Sequence, residues 1–353
     1  MKGKKEMVTQ EQIARNLHIS RTTVARAFKG QFVSEETRKK VLEEAKRLGY
    51  EPNAAATSLA LKNTKDIYAF IIATIDEGYG RQTKEGIMEA ARMWKGYNFE
   101  IHVIFTDITK GSQGCRIQME QFFEVINKEK ADGIIFSALS QENMDWVERV
   151  CREKRLPLMT LDMIYKCDNL CHVGPDYFNL GTYSAAYIAG LMMKRGYILT
   201  LGYDEGYELS KLRMEGFHHK LKEYPEIVCR DVNLEQISSL YYRKILEEEF
   251  RKQVPVAVYA PYHVDYIGDF LKEKGLEHQV ITISNGINEK IEKYLFDGTI
   301  DGIVSARPYF LGAVAASNFF KYFFRKTEML QGTIDVSCDI YIKENYNRYD
   351  KIF

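Results

Sequence analysis

No apolar run in this 353-residue chain is long enough to cross a bilayer. The longest clean stretches, such as Ile67 to Ala73, are strand-length, against the ~20 residues a spanning helix needs. A signal peptide's apolar core is missing as well: Met1-Lys2-Gly3-Lys4-Lys5-Glu6 is basic, but polar Thr9-Gln10-Glu11-Gln12 follows it. Cysteine is scarce. The six residues, Cys115, Cys151, Cys167, Cys171, Cys229 and Cys338, are scattered, which reads as reduced thiols rather than a disulfide framework. A soluble chain working in the cytoplasm is expected.

Catalytic signatures are absent too. Gly78-Tyr79-Gly80 lacks the remaining glycine and the strand–helix context of a dinucleotide site, and neither a Gly-Lys-Ser/Thr phosphate loop nor a Gly-x-Ser-x-Gly elbow occurs. Cys167-Asp168-Asn169-Leu170-Cys171-His172, even with His218-His219, finds no second spaced pair to complete a four-ligand zinc set. No enzyme, cofactor or metal is expected.

Net charge is zero, with 49 Lys+Arg against 49 Asp+Glu, but it is unevenly placed. Residues 1–65 carry nine Lys and five Arg against seven Glu and no Asp, a net of +7, which leaves the remainder at −7. A basic head on an acidic body is the footprint of a polyanion binder. The length suits two or three domains.

The head reads as three short helices. Thr9-Gln10-Glu11-Gln12 fits a capping box, and Ile13, Ala14 and Leu17 form one apolar stripe. After His18-Ile19, Ser20 caps a second helix, Arg21 to Phe28, with Val24, Ala27 and Phe28 inward and Arg21, Thr22, Thr23 and Arg26 outward. A third starts at Ser34, has Glu35 and Glu36 at the favourable end of its dipole, and stops at Gly49. Two helices joined by a tight turn, the second opening with hydroxyls and arginines, describe a helix-turn-helix whose second helix fits the major groove. The same pattern also fits a solvated three-helix surface unit. Beyond it, Asn53 caps an alanine-rich stretch too short to be a stable helix alone, in which Leu59 is the one large apolar side chain.

Ile13-Ala14, Ile19-Ser20-Arg21-Thr22-Thr23-Val24-Ala25-Arg26, Val33-Ser34-Glu35-Glu36-Thr37-Arg38 and Leu48-Gly49-Tyr50-Glu51-Pro52-Asn53, followed by Ala56 and Leu59, closely resemble the lactose-repressor/galactose-repressor (LacI/GalR) family of bacterial transcription regulators. The resemblance implies a homodimer on a near-palindromic double-stranded operator. Arg21, Thr22 and Arg26 would read bases, while Ser20, Thr23, Ser34, Thr37, Tyr50 and Asn53 hold the DNA backbone. Paired hinge helices over residues 51–62 would lie in the minor groove and wedge Leu59 into a base step. Ala25, Lys29 and Thr57 depart from the family's usual Ser, Asn and Arg; Lys29 would exchange an amide contact for a phosphate contact.

From about residue 63, short strands alternate with amphipathic helices, which implies parallel sheets in two Rossmann-like α/β subdomains. Strands are expected at Ile67–Ala73, Phe99–Phe105, Gly133–Phe136, Leu158–Leu161, Ile198–Gly202, Pro255–Ala260, Val280–Ile283 and Gly302–Val304. The Phe319–Phe324 cluster is expected to bury a helix in the core, with its remaining aromatics in the dimer interface.

By resemblance, the body is a type I periplasmic-binding-protein-like core. Its chain would cross between subdomains near residues 195, 302 and 331. The domains are then a helix-turn-helix over 1–50, a hinge over 51–62 and a core over 63–353. Within the core, the N-subdomain takes 63–195 and 303–330, and the C-subdomain takes 196–302 and 331–353.

A small carbohydrate-like effector would bind between the subdomains. Asp162 and Arg213 fall on family pocket positions, and Asn285 replaces an expected Asp. Tyr262, with His263 beside it, Met163, Arg307 and the loop carrying Tyr79 have diverged from the sugar-binding pattern. For Asp162, the plain alternative is a strand-end carboxylate capping local backbone. The resemblance implies a repressor whose operator affinity is set by that ligand. The depleted pocket leaves a second reading, the same dimer controlled by a partner protein such as a phosphocarrier.

Overall fold

A computed structural model describes residues 8–29, 33–50, 64–73, 77–94, 96–107, 112–168, 171–202, 208–325 and 332–346. The head holds three helices, α1 (Gln10–Asn16), α2 (Arg21–Lys29) and α3 (Glu35–Leu48). Each begins on a hydroxyl cap. Thr9 and Gln12 exchange both bonds of the capping box, at 2.7 and 3.3 Å. Ser20 Oγ accepts from the Thr23 N–H at 3.0 Å, and Ser34 Oγ from the Thr37 N–H at 3.2 Å. These caps satisfy N–H groups that the first helical turn leaves without partners. Gly49 ends α3 in the left-handed conformation, φ 67°. Ile13, Ala14, Val24, Ala27, Val41 and Ala45 form the small core beneath.

The body holds two six-stranded sheets. The first contains β1 (Lys65–Ala73), β2 (Phe99–Asp107), β3 (Gly133–Phe136), β4 (Leu158–Leu161), β5 (Cys171–Gly174) and β11 (Thr333–Asp335) in the order β11-β5-β4-β3-β1-β2, all parallel. The second contains β6 (Gly196–Gly202), β7 (Ile227–Asn233), β8 (Ala257–Tyr259), β9 (Ile281–Ser284), β10 (Gly302–Ser305) and β12 (Asp339–Tyr341) in the order β12-β10-β9-β8-β6-β7. Only its β12 pairing is antiparallel. Helices α4 (Glu77–Met93), α5 (Ser112–Lys128), α6 (Gln141–Lys154), α7 (Tyr177–Leu191), α8 (Glu208–Leu221), α9 (Ser239–Lys252), α10 (Val264–Lys274), α11 (Glu289–Asp297) and α12 (Pro308–Phe320) connect the strands. The two-subdomain α/β architecture is therefore the expected one. No helix among the described residues is long and apolar enough to cross a membrane.

Four strands, β5, β7, β11 and β12, lie outside the eight expected from hydrophobic pattern. Of these, β7 is an edge strand carrying Arg230, Asp231 and Asn233, so it lacks the apolar run of a strand buried on both faces. The crossings also differ from expectation. They fall at 175–176, 306–307 and 336–338 rather than near 195, 302 and 331, because α7 and β10 belong with the second sheet and β11 with the first. Leu180, Ala185 and Ile188 of α7 share a core with Ile198, Phe217 and Tyr259, and this apolar face decides which sheet the helix covers.

One close helix pair stands in each subdomain. A Cβ on Gly86 of α4 would lie 1.9 Å from the Tyr309 carbonyl oxygen of α12, and one on Gly181 of α7 would lie 2.0 Å from the Arg213 oxygen of α8. Phe319 and Phe320 of α12, and Phe324 just beyond it, are buried in the core as expected, and Trp94 stacks on Phe320 at 4.3 Å. Tyr322 and Phe323, assigned above to a dimer interface, are partly buried against this same core.

Gly86→Ala tests the first pair. Helix propensity alone would favour alanine by ~1 kcal/mol. Forcing a methyl against backbone costs about 1–3 kcal/mol or more, so the urea midpoint should fall. A raised midpoint would show that the helices separate freely.

Candidate functional site

The carboxyl ends of the strands in both sheets face a cavity of about 170 Å³, the usual ligand position in open α/β sheets. Asp162 follows β4 directly. Its N–H bonds the Val173 oxygen at 2.9 Å, and its backbone is left-handed, φ 75°. The side chain is 6% exposed. Tyr79, in the first turn of α4, donates from Oη to Asp162 Oδ1 at 2.7 Å. Tyr177, the first residue of α7, donates to the same oxygen, so this bond joins the two subdomains. Burial pushes the Asp162 carboxyl above the usual range, opposed by the two tyrosine hydroxyls and by Arg213. Burial, and the carboxylate beside them, push both phenols well above theirs and keep them donors.

Arg213 enters from α8 and is 5% exposed. Its guanidinium lies between the Tyr177 and Tyr262 rings, 4.9 and 4.8 Å from their centroids, where the ring faces attract it. Nη1 donates to the Pro261 oxygen at 3.0 Å, while Nε has no hydrogen-bond partner among the described residues. Arg213 is thus a buried cation with donor capacity left over beside the cavity.

The structure sorts the remaining expected pocket residues. Tyr262 lines the cavity. Asn285 lines it too, but its amide is turned to internal partners: Oδ1 accepts from Tyr259 Oη at 2.9 Å, and Nδ2 donates to Ser184 Oγ at 2.9 Å and to the Val304 oxygen at 3.3 Å. Arg307 is not among the cavity's lining residues. It sits at the second crossing, stacks over Phe310 and pairs through Nε with Asp339 at 3.0 Å, close to the third crossing.

His263, named with Tyr262 among the diverged pocket positions, lines the cavity, and so do residues absent from the sequence-based set, chiefly Tyr177 and Asp265. His263 precedes α10 in left-handed backbone and gives that helix no side-chain cap. Burial pulls its imidazole below the ordinary value, while burial raises the Asp265 carboxyl. The segment Val173-Gly174-Pro175-Asp176-Tyr177, a strand end running into a capped helix, was the available signal for Tyr177.

In the head, Arg21, Thr22 and Arg26 are exposed along α2, while Val24 and Ala27 are buried behind them. Ser20 and Thr23, like Ser34 and Thr37, are paired hydroxyls at helix starts, 2.8 and 2.9 Å apart. Tyr50 packs on Phe28 at 5.4 Å. Lys29 closes α2, but its side chain lies outside the described residues, as do Asn53, Leu59 and the whole 51–62 hinge.

Residues 68–324 match the family of periplasmic binding protein domains. Over 173 residues the chain is 31% identical to catabolite control protein A of Staphylococcus epidermidis, a match covering 48% of each protein. The chain thus spans about half the length of the curated relatives it matches. A sugar ABC transporter's sugar-binding protein from Bacillus halodurans superposes with a TM-score of 0.71 at 17% identity, covering 81% of this chain and 100% of that one. A Bacteroides fragilis protein described as a LacI transcriptional regulator gives 0.64 at 17%, over 81% and 100%. At such identity these two structures are alike in fold alone.

Because the folded chain holds the Asp162 proton more tightly than the unfolded chain, this group's contribution to stability is present below the ordinary aspartate value. It is lost as pH rises through the raised one. Asp162→Asn, a residue that tolerates left-handed backbone, removes that dependence. As pH rises above about 4, urea stability of the parent should fall relative to the variant. Parallel pH profiles would contradict the raised carboxyl.

Proposed function

The chain belongs to the periplasmic binding protein domain family, and on that premise we propose that it is a sequence-specific DNA-binding transcription regulator of the lactose-repressor/galactose-repressor type, acting as a homodimeric repressor in the cytoplasm. The observation that carries this reading is the basic head, where α2 turns Arg21, Thr22 and Arg26 outward from a core shared with α1 and α3. In this reading α1 and α2 are the helix-turn-helix. An arginine on such a face can bond guanine in two places, and a threonine can touch a thymine methyl. Ser20, Thr23, Ser34 and Thr37 at helix starts, and Tyr50 beyond the end of α3, then hold phosphates, joined by Lys29 and Asn53, while Leu59 wedges the minor groove.

A small polar ligand in the cleft sets operator affinity. Asp162 and Tyr79 stand on one subdomain, and Tyr177, Arg213 and Tyr262 on the other, so a ligand touching both sides favours one separation of the sheets. It shifts DNA binding only as far as it prefers that state. Control by a partner protein, such as a phosphocarrier, is the second reading. It is favoured by the commitment of Asn285 and Arg307 to internal partners. Calorimetry with sugars and sugar phosphates separates the two, because a consistently silent cleft supports the protein signal.

Selection from random duplex DNA at a stated salt concentration should recover a near-palindrome with half-sites about one helical turn apart. Arg26→Ala should cost ~1–3 kcal/mol in operator binding and relax preference at one position of each half-site. An unaltered selected sequence and affinity would remove that face of α2 from base reading. Leu59→Ala should weaken operator binding while sparing non-specific affinity.

A further inference from the structure

A second cavity, of about 530 Å³, lies where α8 crosses β6 and β7. His218 and Asp231 line it together with Thr200, Glu215 and His219. Cys229 and Asp231 stand two apart on β7, so their side chains share a face of the strand. Helix α8 brings His218 over that same face. Asp231 Oδ1 lies 3.2 Å from His218 Nε2 and 3.5 Å from Cys229 Sγ. All three potential ligand atoms fall within 4.8 Å of one another.

That spacing can be compared with a metal's requirements. Zinc bound at about 2.0 Å to nitrogen and oxygen and about 2.3 Å to sulfur, in tetrahedral geometry, sets its N···O edge near ~3.3 Å and its S···O edge near ~3.5 Å. Both observed distances match those edges to about a tenth of an ångström. Thr200, wholly buried on β6, donates its hydroxyl to Asp231 Oδ1 and steadies the carboxylate from behind. Such outer partners orient ligands in metal sites.

We propose that His218, Cys229 and Asp231 form a binding site for a divalent transition-metal ion of the zinc and cobalt class. One sulfur, one imidazole nitrogen and one carboxylate oxygen make a donor set suited to these ions, whereas calcium and magnesium take oxygen alone. The fourth position faces the cavity and takes water. As the sulfur–metal bond forms, the Cys229 S–H bond breaks and its proton leaves to solvent, with no change of oxidation state. Burial and the charge of Asp231 hold that thiol up at about 12, and the metal displaces its proton. The site has a structural consequence. A metal here clamps α8 to the edge strand five residues beyond Arg213, on the helix that carries this arginine into the cleft. The site stands on its own residues and does not depend on the DNA-binding reading.

Cobalt(II) titrated into the full chain under reducing conditions tests it. One equivalent should produce the near-ultraviolet sulfur-to-cobalt charge-transfer band with the visible bands of a tetrahedral ion, and zinc should displace both. Cys229→Ser should abolish the charge-transfer band, and His218→Ala should lose stoichiometric binding. Thr200→Val, which keeps all three ligands and the side chain's shape, should weaken cobalt binding about 10–100-fold. Thermal unfolding of each variant shows that it is folded, and Thr200→Val keeps the test open if a ligand variant fails to fold. Absence of a charge-transfer band with cobalt in large excess overturns the proposal. So does a band that persists in folded Cys229→Ser, because another cysteine then supplies the sulfur.

Discussion

A carboxyl group and a guanidinium, both nearly out of reach of water, share the small space between the two sheets, and the body is arranged around that fact. Burying either charge is costly unless neighbours replace the lost hydration. For Asp162 the replacement is two phenolic donors, one from each subdomain. For Arg213 it is two aromatic faces and, among the described residues, one backbone carbonyl. The Arg213 partners come from the second subdomain alone, but the Asp162 set draws on both and could not be assembled within one sheet. The loops that make it, after β4, before α7 and around Tyr262, meet only because both sheets turn their carboxyl ends toward each other.

That meeting depends on how firmly each half is built. In each, two helices approach closely enough that a glycine Cβ would strike backbone: α4 with α12 beside the first sheet, α7 with α8 beside the second. Contacts of this kind leave little room for the helices to slide, because interiors are close-packed and resist small volume changes. Helix α8 carries Arg213 to the cleft and His218 to the second cavity, so its seating against α7 and β7 bears on both. Three chain segments then join the halves, and Arg307 with Asp339 ties the second to the third.

The head follows a different logic. Its core is small, built from Ile13, Ala14, Val24, Ala27, Val41 and Ala45, and much of its definition comes from hydroxyl caps at the starts of α1, α2 and α3. Capping with short polar side chains orders the helix ends and leaves the long basic side chains of α2 outside, where they are exposed. The separation of +7 in the first 65 residues from −7 in the rest keeps a polyanion's attraction on the head and away from the cleft.

By itself the sequence determined what is local. The capping box at Thr9–Gln12, the Ser20 and Ser34 caps, the left-handed stop at Gly49 and the strands at Gly133–Phe136 and Leu158–Leu161 all depend on residues a few positions apart, and all stand where the pattern puts them. The alternation of strands and helices likewise specified two α/β halves. Only the tertiary structure decided which distant side chains meet. Tyr79 reaches Asp162 across 83 positions and Asn285 reaches Ser184 across 101, so the first became part of the cleft while the second, still in the cavity wall, has its amide committed to internal partners. Arg307 likewise went to Asp339 instead of the cavity, and His218 met Cys229 and Asp231 on an edge strand too polar to announce itself. Periodicity specifies which face of an element is buried. What that face is buried against depends on the packing of elements far apart in the chain.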